Sequence, residues 1–274
     1  MINRYTVIGQ PIAHSLSPVV HQLFGELTQR KIHYTRTEST PETFADFVLQ
    51  WQKSGAKGCN VTAPFKELAA EVCQRLVANA QRAGSVNTIQ MHRDGSLVGH
   101  NTDGLGLVAD IVSNKRCALQ SQRILLLGAG GAARGVIAPL LAADPGIVHI
   151  ANRTASKAAQ LVGLFDDLGP VTAGGFDDLK DQERFDVIIN ATTLSMDGGM
   201  PPLPDSVLDH KTLAYDMTYG QHDTVFMSWA KSKGATASNG LGMLVEQAAE
   251  SFLIWEGVRP KTRMAFPRLR ELLS

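Results

Sequence analysis

The chain's pattern predicts an α/β protein in two domains, an N-terminal one on a mixed sheet and a second on a Rossmann-type parallel sheet. Three features carry this. Short apolar segments alternate with amphipathic ones along all 274 residues, the rhythm of strands separated by helices. A hairpin signal, Arg93-Asp94-Gly95, joins two apolar runs in the first half, so that sheet cannot be purely parallel. Residues 123–135, RILLLGAGGAARG, pass from an apolar strand through a glycine cluster into an alanine-rich helix, the opening of a β-α-β unit.

The elements follow in order. Tyr5–Gly9 reads as a strand, and Ser17-Pro18 opens a helix to about Arg30, with Ser17 as N-cap and Pro18 at the first helical position. After a strand at His33–Glu38, Thr40-Pro41 starts a second helix, whose Phe44, Phe47, Val48 and Trp51 fall on one face. Gly58–Val61 is a strand leading to a helix after Pro64, and Val86–Gln90 pairs with Leu97–His100. From Asp103 a helix runs to about Asn114, followed by a polar connector at Lys115–Gln122. Strands are expected near 123–127, 147–151, 171–173, 187–190, 212–216 and 235–237, with helices between and a Pro/Gly-rich surface loop at Met196–Pro204. A long helix at about Gly242–Trp255 and a second near Pro267–Leu273 close the chain. The expected domains are 1–102 with 242–274, and 103–241, the final helices packing back on the first domain.

Composition narrows the function. The chain is 44% apolar and 19% charged, enough for sizeable cores and far from the disordered class. Lys+Arg and Asp+Glu both number 26, so no basic excess points to nucleic acid or a membrane surface. Cys59, Cys73 and Cys117 lack C-x-x-C spacing, which suits a reducing cytosol. The N-terminus shows no signal-peptide core, and no apolar stretch reaches the length of a membrane span. The eight histidines are scattered without H-E-x-x-H, so no metal is expected. A soluble cytoplasmic protein is the reading; a homodimer is an assembly open to it.

The β-α-β unit names a cofactor. Gly128 lets the chain turn and Gly130 removes a Cβ where a pyrophosphate must approach. With Ala129, Gly131 and Ala132 they open the helix whose N-terminus presents free N–H groups. The second strand ends in Asn152-Arg153-Thr154, where an NAD site would carry a carboxylate for the ribose 2′-OH. Arg153, Thr154 and Lys157 instead offer cations and a hydroxyl to a 2′-phosphate, the chemistry of NADP. The local alternative for Arg153 and Lys157 is a solvated helix start.

Elsewhere polar groups collect at the ends of apolar strands: Ser15-Leu16-Ser17-Pro18, Asn60-Val61-Thr62-Ala63-Pro64-Phe65-Lys66, Val86-Asn87-Thr88 and Gly99-His100-Asn101-Thr102-Asp103-Gly104. Ligands of open α/β sheets sit beyond the carboxyl ends of strands, and this set suits a small polyhydroxylated acid. Each residue alone has a local use. Ser17 and Asp103 can cap helices, Asn60 and Asn87 can satisfy turns, and Lys66 can sit in solvent. Their co-occurrence with a redox-cofactor unit points to reaction chemistry. Hydride arriving at a carbonyl carbon leaves negative charge on oxygen. Lys66 supplies a cation for it, and Asp103 can orient that cation and accept from a neighbouring hydroxyl.

S-x-S, N-V-T-x-P-x-K, V-N-T, N-T-D-G, G-A-G-G-A-A, N-R-T and the terminal G-x-G-M-L-V-x-Q-A occur in this order over nearly the whole chain. In this combination the chain resembles the shikimate dehydrogenase family. The resemblance implies NADPH-dependent reduction of 3-dehydroshikimate to shikimate, on the route to chorismate and aromatic amino acids. It implies that Ser15 and Ser17 bind the substrate carboxylate and that Thr62, Asn87 and Gln247 reach its ring hydroxyls. Lys66 and Asp103 match the catalytic pair, Tyr219 a substrate contact, and Met217 and Gly240 positions lining the nicotinamide. One departure is Ala78, where the family often has an acidic residue. A quinate/shikimate dehydrogenase accepting quinate or NAD is the competing enzyme. A silent NADP-binding regulatory protein is the competing class, and the presence of both Lys66 and Asp103 argues against it.

Overall fold

The computed structural model of the protein describes residues 2–273. The chain divides into two compact units, after Gly106 and again after Met243, so the first is discontinuous and the second continuous. The expected class holds: one sheet is mixed, the other wholly parallel.

In the first unit, β1 (Asn3–Gly9), β2 (Ile32–Glu38), β3 (Gly58–Val61), β4 (Arg75–Leu76), β5 (Thr88–Met91) and β6 (Leu97–His100) lie in the order β2-β1-β3-β5-β6-β4. β1 runs parallel to β2 and β3, while β5 runs antiparallel to β3 and to its hairpin partner β6. The helices are α1 (Ser17–Thr28), α2 (Pro41–Lys53), α3 (Lys66–Val72) and α4 (Ala78–Ala83). α2 starts as its sequence predicts: Thr40 and Thr43 form a reciprocal capping box, Pro41 follows, and Phe44 and Val48 are buried. α1 differs. Its N-cap is Leu16, which has no capping side chain, and Ser17 is the first helical residue, its N–H donating to Ser15 Oγ at 3.3 Å; Ser17 is therefore not the N-cap expected. β4 and α4 carry no signal in the pattern, because two and six residues are too few for a period to register.

The second unit carries β7 (Arg123–Leu127), β8 (Ile147–Ala151), β9 (Val171–Gly174), β10 (Val187–Asn190), β11 (Leu213–Asp216) and β12 (Thr236–Ser238) in the order β12-β11-β10-β7-β8-β9. Ile124 and Leu126 enter one core, and Leu125 and Leu127 another. A strand buried on both faces needs such an uninterrupted apolar run. Between the strands lie α6 (Gly131–Leu141), α7 (Ala155–Phe165) and α8 (Val225–Ser232). Short 3-10 turns at Leu194–Asp197 and Asp205–Val207 bracket the Pro/Gly-rich loop.

α5 (Asp103–Ala109) and α9 (Leu241–Glu256) each belong partly to both units, and α10 (Phe266–Leu273) belongs to the first. The expected borders lie at the starts of α5 and α9, whereas the chain divides inside each helix. The reason is packing. Gly106 abuts Gln247 in the first unit, while Leu107, Ile111 and Met243 join a core of the second. The helix expected from Asp103 to Asn114 also changes pitch after Ala109, where Asp110–Asn114 forms a π turn. The buried Asp110 carboxylate accepts from Tyr215 Oη at 2.7 Å and Asn114 Nδ2 at 2.9 Å. No helix among the described residues is long and apolar enough to cross a membrane.

Candidate active site

Lys66 opens α3 and Asp103 opens α5, each just beyond a strand of the first sheet. Their side chains form an ion pair of 2.5 Å, with only 16% and 8% of each exposed. At that burial each charge depends on the other for compensation. Asp103 does not cap its helix with its side chain. Its Oδ1 accepts from Asn87 Nδ2 at 2.8 Å, and its own N–H is taken by Asn101 Oδ1. Asn87 Nδ2 also lies 3.2 Å from Gln247 Oε1, so a residue from the far end of the chain joins the group. Gly106 makes that approach possible, since a Cβ there would meet the Gln247 backbone N at 2.6 Å. Its only signal in the sequence is a small residue one turn after Asp103, which by itself marks nothing.

The other expected substrate residues fall into two groups. Ser15, Ser17 and Thr62 line loops next to β1 and β3; Ser15 and Thr62 are half-buried and Ser17 is buried. The bond from the Ser17 N–H uses a lone pair of Ser15 Oγ and leaves its O–H as a donor. Asn60 is otherwise placed. Its Oδ1 accepts from Tyr34 Oη at 2.6 Å, and its Nδ2 faces Asn87 O, Thr88 Oγ1 and Ser251 Oγ at 3.0–3.1 Å. The amide is therefore occupied inside the unit. Tyr34, Thr88 and Ser251 belong to this network, and no motif marks Tyr34 or Ser251. Cys59, beside Asn60, is buried, and burial pushes its thiol pKa up, which keeps it protonated and unreactive. Ala78 opens α4, and its neighbour Asn79 donates to Asn101 O at 2.8 Å.

In the second unit the glycine turn matches its expected geometry. Gly128 has φ +108°, in the region that favours glycine, while a Cβ on Gly130 would project into open space. Ala129, Gly130, Asn152, Arg153, Thr154 and Lys157 line a hollow of about 170 Å³. Gly131 and Ala132 form the first turn of α6, whose N-cap is Gly130. Arg153, Thr154 and Lys157 are exposed at the rim, and among the described residues no carboxylate lines it. Met217 and Gly240 lie together: the Gly240 N–H donates to Thr218 O at 2.8 Å, and a Cβ on Gly240 would strike the Met217 backbone. Tyr219 is half-buried in the loop after β11. That loop is anchored by the buried Asp216, whose carboxylate accepts from Thr218 N, Thr218 Oγ1, Ser195 Oγ and Thr224 Oγ1 at 2.6–3.0 Å.

Known proteins resemble this chain along its whole length. Three family models match it: shikimate dehydrogenase substrate binding domain over residues 7–89, shikimate / quinate 5-dehydrogenase over 110–196, and shikimate 5′-dehydrogenase C-terminal domain over 240–263. A shikimate dehydrogenase (NADP(+)) of Aeromonas salmonicida is 50% identical over 274 residues, covering 100% of this chain and 99% of its own. An Ael1 enzyme from Pseudomonas putida superposes with a TM-score of 0.91 at 42% identity, over 97% of this chain and 98% of that one. The shikimate 5-dehydrogenase of Thermus thermophilus, solved with NADP(H) and shikimate, gives 0.87 at 30% identity, over 99% and 100%. The chain belongs to the shikimate dehydrogenase family.

Proposed function

We propose that the chain catalyses the reversible, NADPH-dependent reduction of 3-dehydroshikimate to shikimate, in the pathway to chorismate and the aromatic amino acids. The observation that carries the reading is the Lys66–Asp103 ion pair, backed by Asn87 and Gln247, in a chain of this family. Cytoplasmic residence goes with it.

Lys66 Nζ donates a proton to the carbonyl oxygen as negative charge develops there, and takes it back in the reverse direction. Asp103 holds that ammonium through Oδ2 and accepts from a neighbouring substrate hydroxyl. Ser15 and Ser17 donate hydrogen bonds to the substrate carboxylate, Thr62, Asn87 and Gln247 hold its ring hydroxyls, and Tyr219 is a further substrate contact. Asn60, whose amide is already occupied, supports this set from behind. The discontinuous unit, which holds Lys66, Asn87, Asp103 and Gln247, is the substrate side of this reading, and the continuous unit the cofactor side. Gly128, Ala129, Gly130, Gly131 and Ala132 would take the pyrophosphate, and Asn152, Arg153, Thr154 and Lys157 the adenosine 2′-phosphate. Met217 and Gly240 would lie along the nicotinamide. The open space at Gly130 and the cationic, carboxylate-free rim of the hollow fit that group. NADP(H), when bound, supplies or takes up the hydride.

The test is the appearance of reduced nicotinamide from shikimate and NADP+, repeated with quinate and with NAD+. Turnover of shikimate with NADP+ is expected to exceed the other combinations. Lys66→Ala should lower kcat by about a hundredfold or more, the usual scale for removing an acid–base group. Near-normal kcat in that variant would remove Lys66 from the chemistry.

A further inference from the structure

We propose that Tyr34, Asn60 and Thr88 are positioning residues for the reaction, linked in a one-directional run of hydrogen bonds that fixes the Asn87 amide and, through it, the Asp103 carboxylate. The inference rests on the reading of Lys66 and Asp103 given above.

The orientation of both amides in the run follows from groups that cannot reverse. Asn87 Oδ1 lies 2.8 Å from the backbone N of Thr102, which can only donate. Asn87 therefore turns its Nδ2 to Asp103 Oδ1, at 2.8 Å. Thr88 Oγ1 sits 2.9 Å from the same Asn87 Oδ1 and 2.8 Å from Ser251 Oγ; in the proposed run its proton goes to Asn87 Oδ1, which can only accept, and Ser251 turns its own hydroxyl elsewhere, toward Gln247 O at 3.1 Å. With its proton so placed, Thr88 Oγ1 accepts from Asn60 Nδ2 at 3.0 Å. Asn60 is oriented independently by the Asn87 carbonyl at 3.1 Å, which demands an N–H. Its Oδ1 is thereby left for the Tyr34 hydroxyl at 2.6 Å. The run reads Tyr34 to Asn60 to Thr88 to Asn87 to Asp103, and ends on Lys66.

All five members are buried, and in low dielectric such a chain polarises each bond along it. The outer end is held rigidly: the Tyr34 ring stacks on His21 at 4.3 Å with 7° between planes. Burial raises the Tyr34 phenol well above its ordinary pKa, with a smaller opposing effect from the Ser17 hydroxyl. Tyr34 thus remains a donor at neutral pH.

The test uses full-length protein with shikimate and NADP+. Thr88→Val removes the hydroxyl at nearly constant shape and should lower kcat about tenfold, the equivalent of one hydrogen bond in the transition state. Thr88→Ser keeps the donor and should recover most of that loss. Tyr34→Phe should lower kcat several-fold and leave KM for NADP+ unchanged. In a series the double variant Tyr34→Phe/Thr88→Val should be little worse than Thr88→Val alone, whereas independent structural damage multiplies. Circular dichroism establishes that each variant is folded. If Thr88→Val does not fold, Tyr34→Phe decides alone, and parental kcat in the folded protein overturns the proposal. Equal impairment by serine and valine, or a double variant equal to the product of the singles, also overturns it. A parent without activity on shikimate would instead overturn the functional reading.

Discussion

His21 is fully buried, stacked on Tyr34 and set among Phe24, Phe252 and Trp255. Among the described residues no partner meets hydrogen-bond geometry at either ring nitrogen, and burial pushes its pKa down to about 3 against a smaller opposing effect of the Asn60 side chain. A histidine exposed on unfolding binds its proton near pH 6.5. Between those values the unfolded chain therefore holds one proton more than the folded chain, and stability rises with pH through that window. The contribution is fully present above about pH 6.5 and is lost progressively as pH falls toward 3, at up to about 1.4 kcal/mol per unit for one proton. Urea unfolding from pH 7 to pH 4.5 should show this slope added to that of the carboxylates. His21→Phe keeps a ring in the stack and should flatten the dependence by that increment; equal slopes for both proteins would mean that His21 is not the linked group. Lys66 and Asp103 stand in contrast. Those two lie in the motifs that carry the family resemblance, N-V-T-x-P-x-K and N-T-D-G, whereas His21 and Tyr34 carry no motif, and only the fold brings Tyr34 against Asn60.

At the level of elements, α9 begins at a point where only glycine fits. A Cβ on Gly242 would collide with both carboxylate oxygens of Asp110. Asp110 cannot retreat, because it is fully buried and holds Tyr215 and Asn114. Two effects oppose each other in Gly242→Ala. Helix propensity favours alanine by about 1 kcal/mol, while overpacking a tight site costs about 1–3 kcal/mol or more. The steric effect should win, and the urea midpoint should fall with an unchanged slope; a rise would show that Asp110 can move aside. The same carboxylate explains why the π turn was not legible. Residues 103–114 read locally as one helix, and Tyr215, one of the partners that hold Asp110 where the pitch changes, lies far along the chain. Where the cause is local, the pattern sufficed: the capping box and buried face of α2, the glycine turn before α6, and the hairpin of β5 and β6. The start of α1 is intermediate, since Ser17 suits an N-cap by type, whereas the backbone path makes Leu16 the N-cap and Ser17 the first helical residue.

On the scale of the molecule, each unit has a core of its own, the first around Ile8, Phe44, Phe65 and Ile89, the second on both faces of its parallel sheet. The existence of two domains was legible because the nucleotide unit begins midway along the chain. Their borders were not, because sequence pattern marks where a helix starts and not which core its later turns join. Units with separate cores can unfold separately. A ligand that binds only the folded form stabilises its own unit by RT ln(1 + [L]/Kd), about 2.7 kcal/mol at a hundredfold excess over Kd. For the continuous unit of residues 107–243 this corresponds to roughly 8–10 °C, from the entropy of unfolding per residue. Scanning calorimetry of the intact chain should therefore resolve two transitions. NADP+ should raise the one belonging to the parallel-sheet unit by that amount, and shikimate should raise the other. The asymmetry follows from where the groups proposed to bind each ligand lie: the lining of the hollow comes from one unit, and Lys66, Asn87, Asp103 and Gln247 come from the other. A single transition moved equally by either ligand would show that the chain unfolds as one cooperative block, and that the division into two cores does not extend to its energetics.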